Sequence, residues 1–236
     1  MAKGAKFGVR GSEFGVPPRP TRISKLEMRN AGLRPRLVAI DGPSGVGKST
    51  VARRLGKRLG LPYLDTGKMY RAFGLYCLGR GVDLTKASAV AACLEGFELP
   101  DLGDPVLLGE CAGEAASLVS QIPGVRERMV ALQRAMGLRT GGVVEGRDAT
   151  TRIFPDAHRK FFLFADENVR ILRRWRETGG DWGETACRVV RRDKRDRKRA
   201  ASPLVLAPDA VPVDTTALNA DEVVDLLAFL CREEGL

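Results

Sequence analysis

From Leu37 onward, short apolar runs alternate with longer stretches whose apolar residues recur at helical spacing. The runs are LVAI at 37–40, YL at 63–64, GVVE at 142–145, KFFLF at 160–164 and AVPV at 210–213. Each is continuous rather than alternating, which is the pattern of strands covered on both faces, and helical segments lie between them. Parallel strands need such crossovers, and the right-handed rule for them narrows the topology. The expected fold is three-layer α/β: a doubly wound parallel sheet of about five strands with helices on both faces. The last helix follows the same logic. Asn219 can cap it, Asp221 and Glu222 suit its positive end, and Val223, Leu226, Leu227, Leu230 and Cys231 recur at helical spacing. Residues 96–110, broken by Gly, Pro and Asp, predict a loop or short irregular insert.

The first 34 residues show no such pattern. They mix Gly, Pro, Lys and Arg without periodicity, a composition that buries too little apolar surface to offset its ordering entropy, and they are expected to be disordered. Their Arg-rich, acid-poor character is compatible with a targeting segment, so they are set aside from the fold, which begins at residue 35 and runs to 236.

Charge changes the picture more than overall composition does. The chain carries +10, which spread evenly would suggest a nucleic-acid or membrane partner. It is not spread evenly. Residues 1–36 hold nine Lys or Arg against Glu13 and Glu27, a net of +7, and residues 188–199 hold eight against Asp193 and Asp196, a net of +6. The remainder is slightly acidic, so two local segments need explaining, not a basic protein. No run is long and apolar enough to cross a membrane, which excludes an integral membrane role for this reading. The five cysteines are odd in number and widely separated, without a C-x-x-C pair, and fit a reducing cytoplasm. His158 is the only histidine and is read as structural or at the surface.

Four segments carry chemistry. Gly42-Pro43-Ser44-Gly45-Val46-Gly47-Lys48-Ser49 fits G-x-x-x-x-G-K-[ST] between a strand and a helix, the context that a phosphate-binding loop requires. Its glycines let successive N–H groups face a phosphate, and the helix adds its positive end. Lys48 would then bridge the transferring phosphates of ATP, with Ser49 on Mg²⁺ and Thr50 completing the donor set. That loop alone fits motors, GTPases, helicases and small-molecule kinases. The second segment, Asp65 to Arg71, follows the second strand, where Thr66 and Arg71 could hold an acceptor. The third, Glu145-Gly146-Arg147-Asp148, follows another strand and faces the same crevice, although Arg147 and Asp148 could simply pair with each other. In the fourth, Arg188, Arg192, Arg195 and Arg199 are expected on one helical face, where their mutual repulsion calls for an anion. Asp196 pairs part of that face. No aromatic residues interleave with these arginines, which argues against nucleic acid and for ATP.

Together these segments resemble the bacterial cytidylate kinases: IDGPSGVGKST, YLDTGKMYR, VVEGRD with FPDAHRKFFLFA, and RDKRDRKRAASPL with DAVPVDTT, in the same order across about residues 37–233. The resemblance implies a P-loop nucleoside monophosphate kinase that uses ATP and Mg²⁺ to phosphorylate CMP or dCMP, as a monomer. It places an acceptor-binding insert at about 66–138 and an Arg-rich lid at about 180–202. Arg71, Arg147 and Arg192 would hold the acceptor's phosphate, with Thr66 and Tyr70 in the same half of the site. Ser117, Arg126 and Asp148 would contact the base, Asp196 the ribose, and Arg199 the transferring group, with Lys48, Arg192 and Arg199 catalytic. Three departures bear on it. The stretch between Phe97 and Ser117 is shorter than the family's insert, Ala149-Thr150-Thr151 crowd a turn that normally has glycine, and Lys68 is expected to add charge near the acceptor phosphate. Two alternatives stay open: a kinase of another monophosphate such as UMP, and a nucleotide-gated RNA-binding protein.

Overall fold

The first strand, β1 (Leu37–Asp41), is buried along its whole length because it has a parallel strand on each side, which is why its sequence is apolar without a break. The structure, a computed structural model, describes residues 35–233, and the disorder expected for residues 1–34 lies outside them. After β1 come α1 (Lys48–Leu59), β2 (Tyr63–Asp65), α2 (Thr66–Gly79), α3 (Ala87–Ala92), a 3₁₀ turn (Pro105–Leu108), α4 (Glu110–Val119) and α5 (Pro123–Thr140). The second half holds β3 (Gly142–Glu145), a π turn (Ala149–Ile153), β4 (Arg159–Phe164), α6 (Glu167–Thr178), α7 (Trp182–Lys198), β5 (Val211–Asp214) and α8 (Ala220–Glu233).

Among the described residues five strands run parallel in the order β2-β3-β1-β4-β5. Chain order reverses beside β1, and a crevice opens there at the strands' carboxyl ends, where ligands bind in open α/β sheets. Pro212 sits in β5, an edge strand, where the missing N–H costs no ladder bond on the open side. Val38 and Ile40 enter one core with Val51, Leu55 and Leu227, while Leu37 and Ala39 enter another with Ile153 and Phe154. The period of two along β1 thus feeds two layers of helix.

Asn219 caps α8 as expected, accepting from Asp221 N at 2.9 Å and Glu222 N at 3.1 Å. The expected apolar stripe needs one correction. Leu226 is 39% exposed, and the buried stripe is Val223, Val224, Leu227, Ala228 and Cys231, which pack in one core with Val51 and Leu55 of α1 and the sheet. His158 is structural: its Nδ1 accepts from Leu37 N at 3.2 Å.

Helices α2, α4 and α5 build a separate core around Met69, Phe73, Val119 and Met129. Its closest approach is at Gly74, where a Cβ would lie 2.7 Å from that of Ala115. The irregular stretch expected at 96–110 is irregular, with the single 3₁₀ turn started by Asp104, which accepts from Val106 N at 2.9 Å. Lys68 does not face the crevice as expected. Its ammonium donates to Leu102 O at 2.8 Å and so ties this stretch to α2.

Candidate active site

One cleft is lined from both halves of the chain: Ser44, Gly45, Gly47, Lys48, Ser49 and Thr50 on one side, and Thr66, Tyr70, Arg71, Ser117, Arg126, Arg147, Asp148, Arg192, Asp196 and Arg199 on the other. Three residues of the expected donor set shape the loop without lining the cleft. Gly42 packs against the Leu163 carbonyl, Val46 points into the sheet core, and the Pro43 carbonyl accepts from Lys48 Nζ at 2.6 Å. Gly45 and Gly47 take φ of +76° and +87°, the left-handed geometry that turns the loop's N–H groups inward.

The side chains bring an excess of positive charge into a dry place. Burial, reinforced by Arg147, pulls the Lys48 ammonium down to about 7. Burial and the same Arg147 lower Arg192 to about 10. Arg147 is held up instead: burial alone would lower it, but Asp196 accepts from its Nε at 2.8 Å and prevails. Burial would likewise raise the Asp196 carboxyl, and Arg147, Arg192 and Arg199 overcome that and hold it low. Arg147 therefore pairs with Asp196 rather than with its neighbour Asp148, which takes Arg126. Among the described residues that line the cleft, the Nε of Arg71, Arg126, Arg192 and Arg199, Tyr70 Oη and Ser117 Oγ are buried without a hydrogen-bond partner. Such donors are costly to leave unmet, and an anionic, hydrogen-bonding ligand would satisfy them.

Arg188, Arg192 and Arg195 share the face of α7 that meets α4, as expected, but much of that face is already paired. Arg188 pairs with Glu110 at 3.2 Å and Glu184 at 3.6 Å, and Arg195 forks onto Glu114 at 2.7 and 2.9 Å. Arg192 turns into the cleft, and Arg199 lies just past the end of α7. Neighbouring carboxylates on α4 relieve much of the repulsion that an outside anion was invoked to relieve.

A family model described as cytidylate kinase matches residues 38–233. The chain belongs to the cytidylate kinase family. A cytidylate kinase of Rhodococcus opacus is 43% identical over 219 residues, 84% of this chain and 96% of that protein. One from Corynebacterium glutamicum is 44% identical over 214 residues, covering 82% and 93%. Among solved structures, an uncharacterized protein from Eubacterium ventriosum aligns over 85% of this chain and 99% of its own with a TM-score of 0.53. At 14% identity it supports the α/β fold alone.

Cytidylate kinase membership leaves several residues that sequence reasoning missed. Arg174 and Glu177 of α6 also line the cleft, though no motif marks them. Asp41 ends β1 and is buried. Its carboxylate accepts from Ala149 N at 2.9 Å, Thr150 N at 2.7 Å and Thr150 Oγ1 at 2.6 Å. Those bonds hold the π turn that follows Arg147-Asp148. None of Ala149, Thr150 and Thr151 takes a left-handed φ, so the glycine expected there is not required. Burial pushes Asp41 up to about 6 against these bonds.

Proposed function

We propose that this chain transfers the terminal phosphoryl group of ATP to CMP and dCMP, with the donor on the loop from Gly42 to Ser49 and the acceptor between α2, α4, α5 and the Arg147-Asp148 turn. Residues 66–138 form the acceptor lobe in this reading, and residues 180–202 the lid. The observation that carries it is the buried Arg126–Asp148 pair, which lines the same cleft as Lys48 together with Ser117, whose Oγ is unmet. Cytosine presents an amino donor next to ring and carbonyl acceptors. A carboxylate beside a guanidinium matches that edge. Uracil reverses two of its positions and would set a carbonyl against Asp148.

Transfer to a phosphate oxygen needs no general base, because that oxygen is already ionised at neutral pH. The work is in-line placement and neutralisation of spreading charge. Lys48 bridges the donor phosphates, Arg71, Arg147 and Arg192 hold the acceptor phosphate, and Arg192 and Arg199 meet the charge that develops on the moving group. Asp196 keeps Arg147 in place and faces the ribose.

Mg²⁺ fits the Ser49 end of the cleft. Burial and the nearby Asp65 push the Glu145 carboxyl up, and Ser49 lies within hydrogen-bond reach of Glu145, so hard oxygen donors face one another there. When bound, the ion would screen the donor phosphates and polarise the bond that breaks. Among the described residues no helix is long and apolar enough to cross a membrane. A cytoplasmic location fits the five free cysteines, and a monomer is part of the same proposal.

The test is a coupled assay with ATP and Mg²⁺ over a panel of monophosphates. CMP and dCMP are expected to react fastest. Turnover of UMP or AMP without CMP or dCMP would refute the acceptor assignment.

A further inference from the structure

Ser44, the third residue of the phosphate loop, has both halves of its backbone taken by side chains from distant helices. Its N–H donates to Asp193 Oδ1 at 2.9 Å, and its carbonyl accepts from Arg170 Nη1 at 3.0 Å. The two side chains also pair with each other and are buried, with Arg170 3% and Asp193 4% exposed. Arg170 lies on α6 and Asp193 on α7, so an ion pair between two helices closes on a single loop residue. The main chain tightens the contact further. A Cβ at Gly45 would meet the Arg170 carbonyl at 2.5 Å.

A carboxylate next to a triphosphate cradle is not explained by phosphate binding, since its charge opposes the ligand's. A buried ion pair is also weak evidence for stability. Its position explains more. Asp193 directly follows Arg192, and adjacent helical residues point about 100° apart, so one side chain reaches into the cleft while the other reaches the loop. Seating Asp193 on Ser44 therefore sets where Arg192 stands, and with it Asp196 one turn on, which holds Arg147.

We infer that Asp193 and Arg170 are positioning residues that latch α7 to the phosphate loop, so that donor cradle and transferring arginines reach one geometry together. The inference rests on the reading of α7 as lid and of Arg192 as catalytic. Binding of ATP, carried by the loop's N–H groups and Lys48, depends on the latch weakly. Transfer depends on it strongly, because a misplacement of about 1 Å costs about 100-fold in rate. An unlatched helix also admits water to the moving phosphoryl group.

Two variants test this: Asp193→Ala, and Asp193→Ala combined with Arg170→Ala, which leaves no unpaired charge buried. Circular dichroism first establishes which are folded at the assay temperature. In a folded variant kcat with CMP is expected to fall about 10- to 100-fold, with KM for ATP within about threefold of wild type. ATP hydrolysed per CMP phosphorylated should rise about tenfold. A pair that serves stability alone would lower the melting temperature and leave kcat per folded molecule and that ratio unchanged, which overturns the inference. Equal losses of kcat and ATP affinity overturn it too, as does failure of both variants to fold. The wild-type panel is run beside them. A wild type inert toward CMP sinks the acceptor assignment instead, and the latch is then judged with whichever acceptor the panel identifies.

Discussion

Replacing Asp41 by Asn should change how stability depends on pH more than it changes stability at any one pH. Asp41 is fully buried and accepts three hydrogen bonds from the Ala149-Thr150 turn, yet burial outweighs them and raises its carboxyl from 3.8 to about 6. A raised acid favours folding in its protonated form. Its contribution is fully present below the unfolded value near 3.8 and is lost as pH climbs through about 6. Two units correspond to about 3 kcal/mol, of which about 2 kcal/mol fall between about pH 4.5 and 7. Asn cannot ionise, so the variant lacks that loss. Urea unfolding of both proteins, followed by circular dichroism across this range, gives the difference between two curves in which all other carboxylates cancel. Wild type should lose about 2 kcal/mol relative to Asp41→Asn as pH rises over this range. Parallel curves would show that Asp41 does not titrate as burial dictates. A slope of opposite sign would mean that the three hydrogen bonds outweigh desolvation and that the carboxylate is the favoured form.

Two further outcomes follow from the cleft's electrostatics. Arg147→Ala removes a charge-assisted donor from the acceptor side and frees Asp196, so kcat/KM for CMP should drop by about 10- to 100-fold, while ATP affinity measured by calorimetry changes far less; equal losses in both would remove Arg147 from that side. Lys48 sits near 7 in the free chain, and a triphosphate must raise it, so ATP binding at about pH 8 should take up close to one proton. Calorimetry in buffers of different ionisation enthalpy measures this, and the uptake should vanish in Lys48→Met; the same uptake in that variant would assign the proton elsewhere.

Most of the framework was legible in the chain itself. Strands buried on both faces must be apolar without alternation, so β1 and β3 stood out, and the phosphate loop declared itself because its glycines, Lys48 and Ser49 are adjacent in sequence. The residue types of the acceptor half were legible too, and Thr66, Tyr70, Arg71, Ser117, Arg126, Arg147, Asp148, Arg192, Asp196 and Arg199 do line one cleft. Their partners were not legible. Arg147 lies next to Asp148 yet pairs with Asp196, 49 residues away. Glu110 and Glu114 of α4 take Arg188 and Arg195, which leaves of the basic face two ion pairs and one arginine turned into the cleft. Lys68 bonds Leu102 rather than facing the cleft. Asp41 and Asp193 lie inside the motif segments, but spacing gave them no role there; they hold the Ala149-Thr150 turn and Ser44. Periodicity and local spacing report which face of an element is apolar and which groups neighbour one another along the chain. Which carboxylate meets which guanidinium depends on where helices cross, and that is set when the sheet and its helices pack.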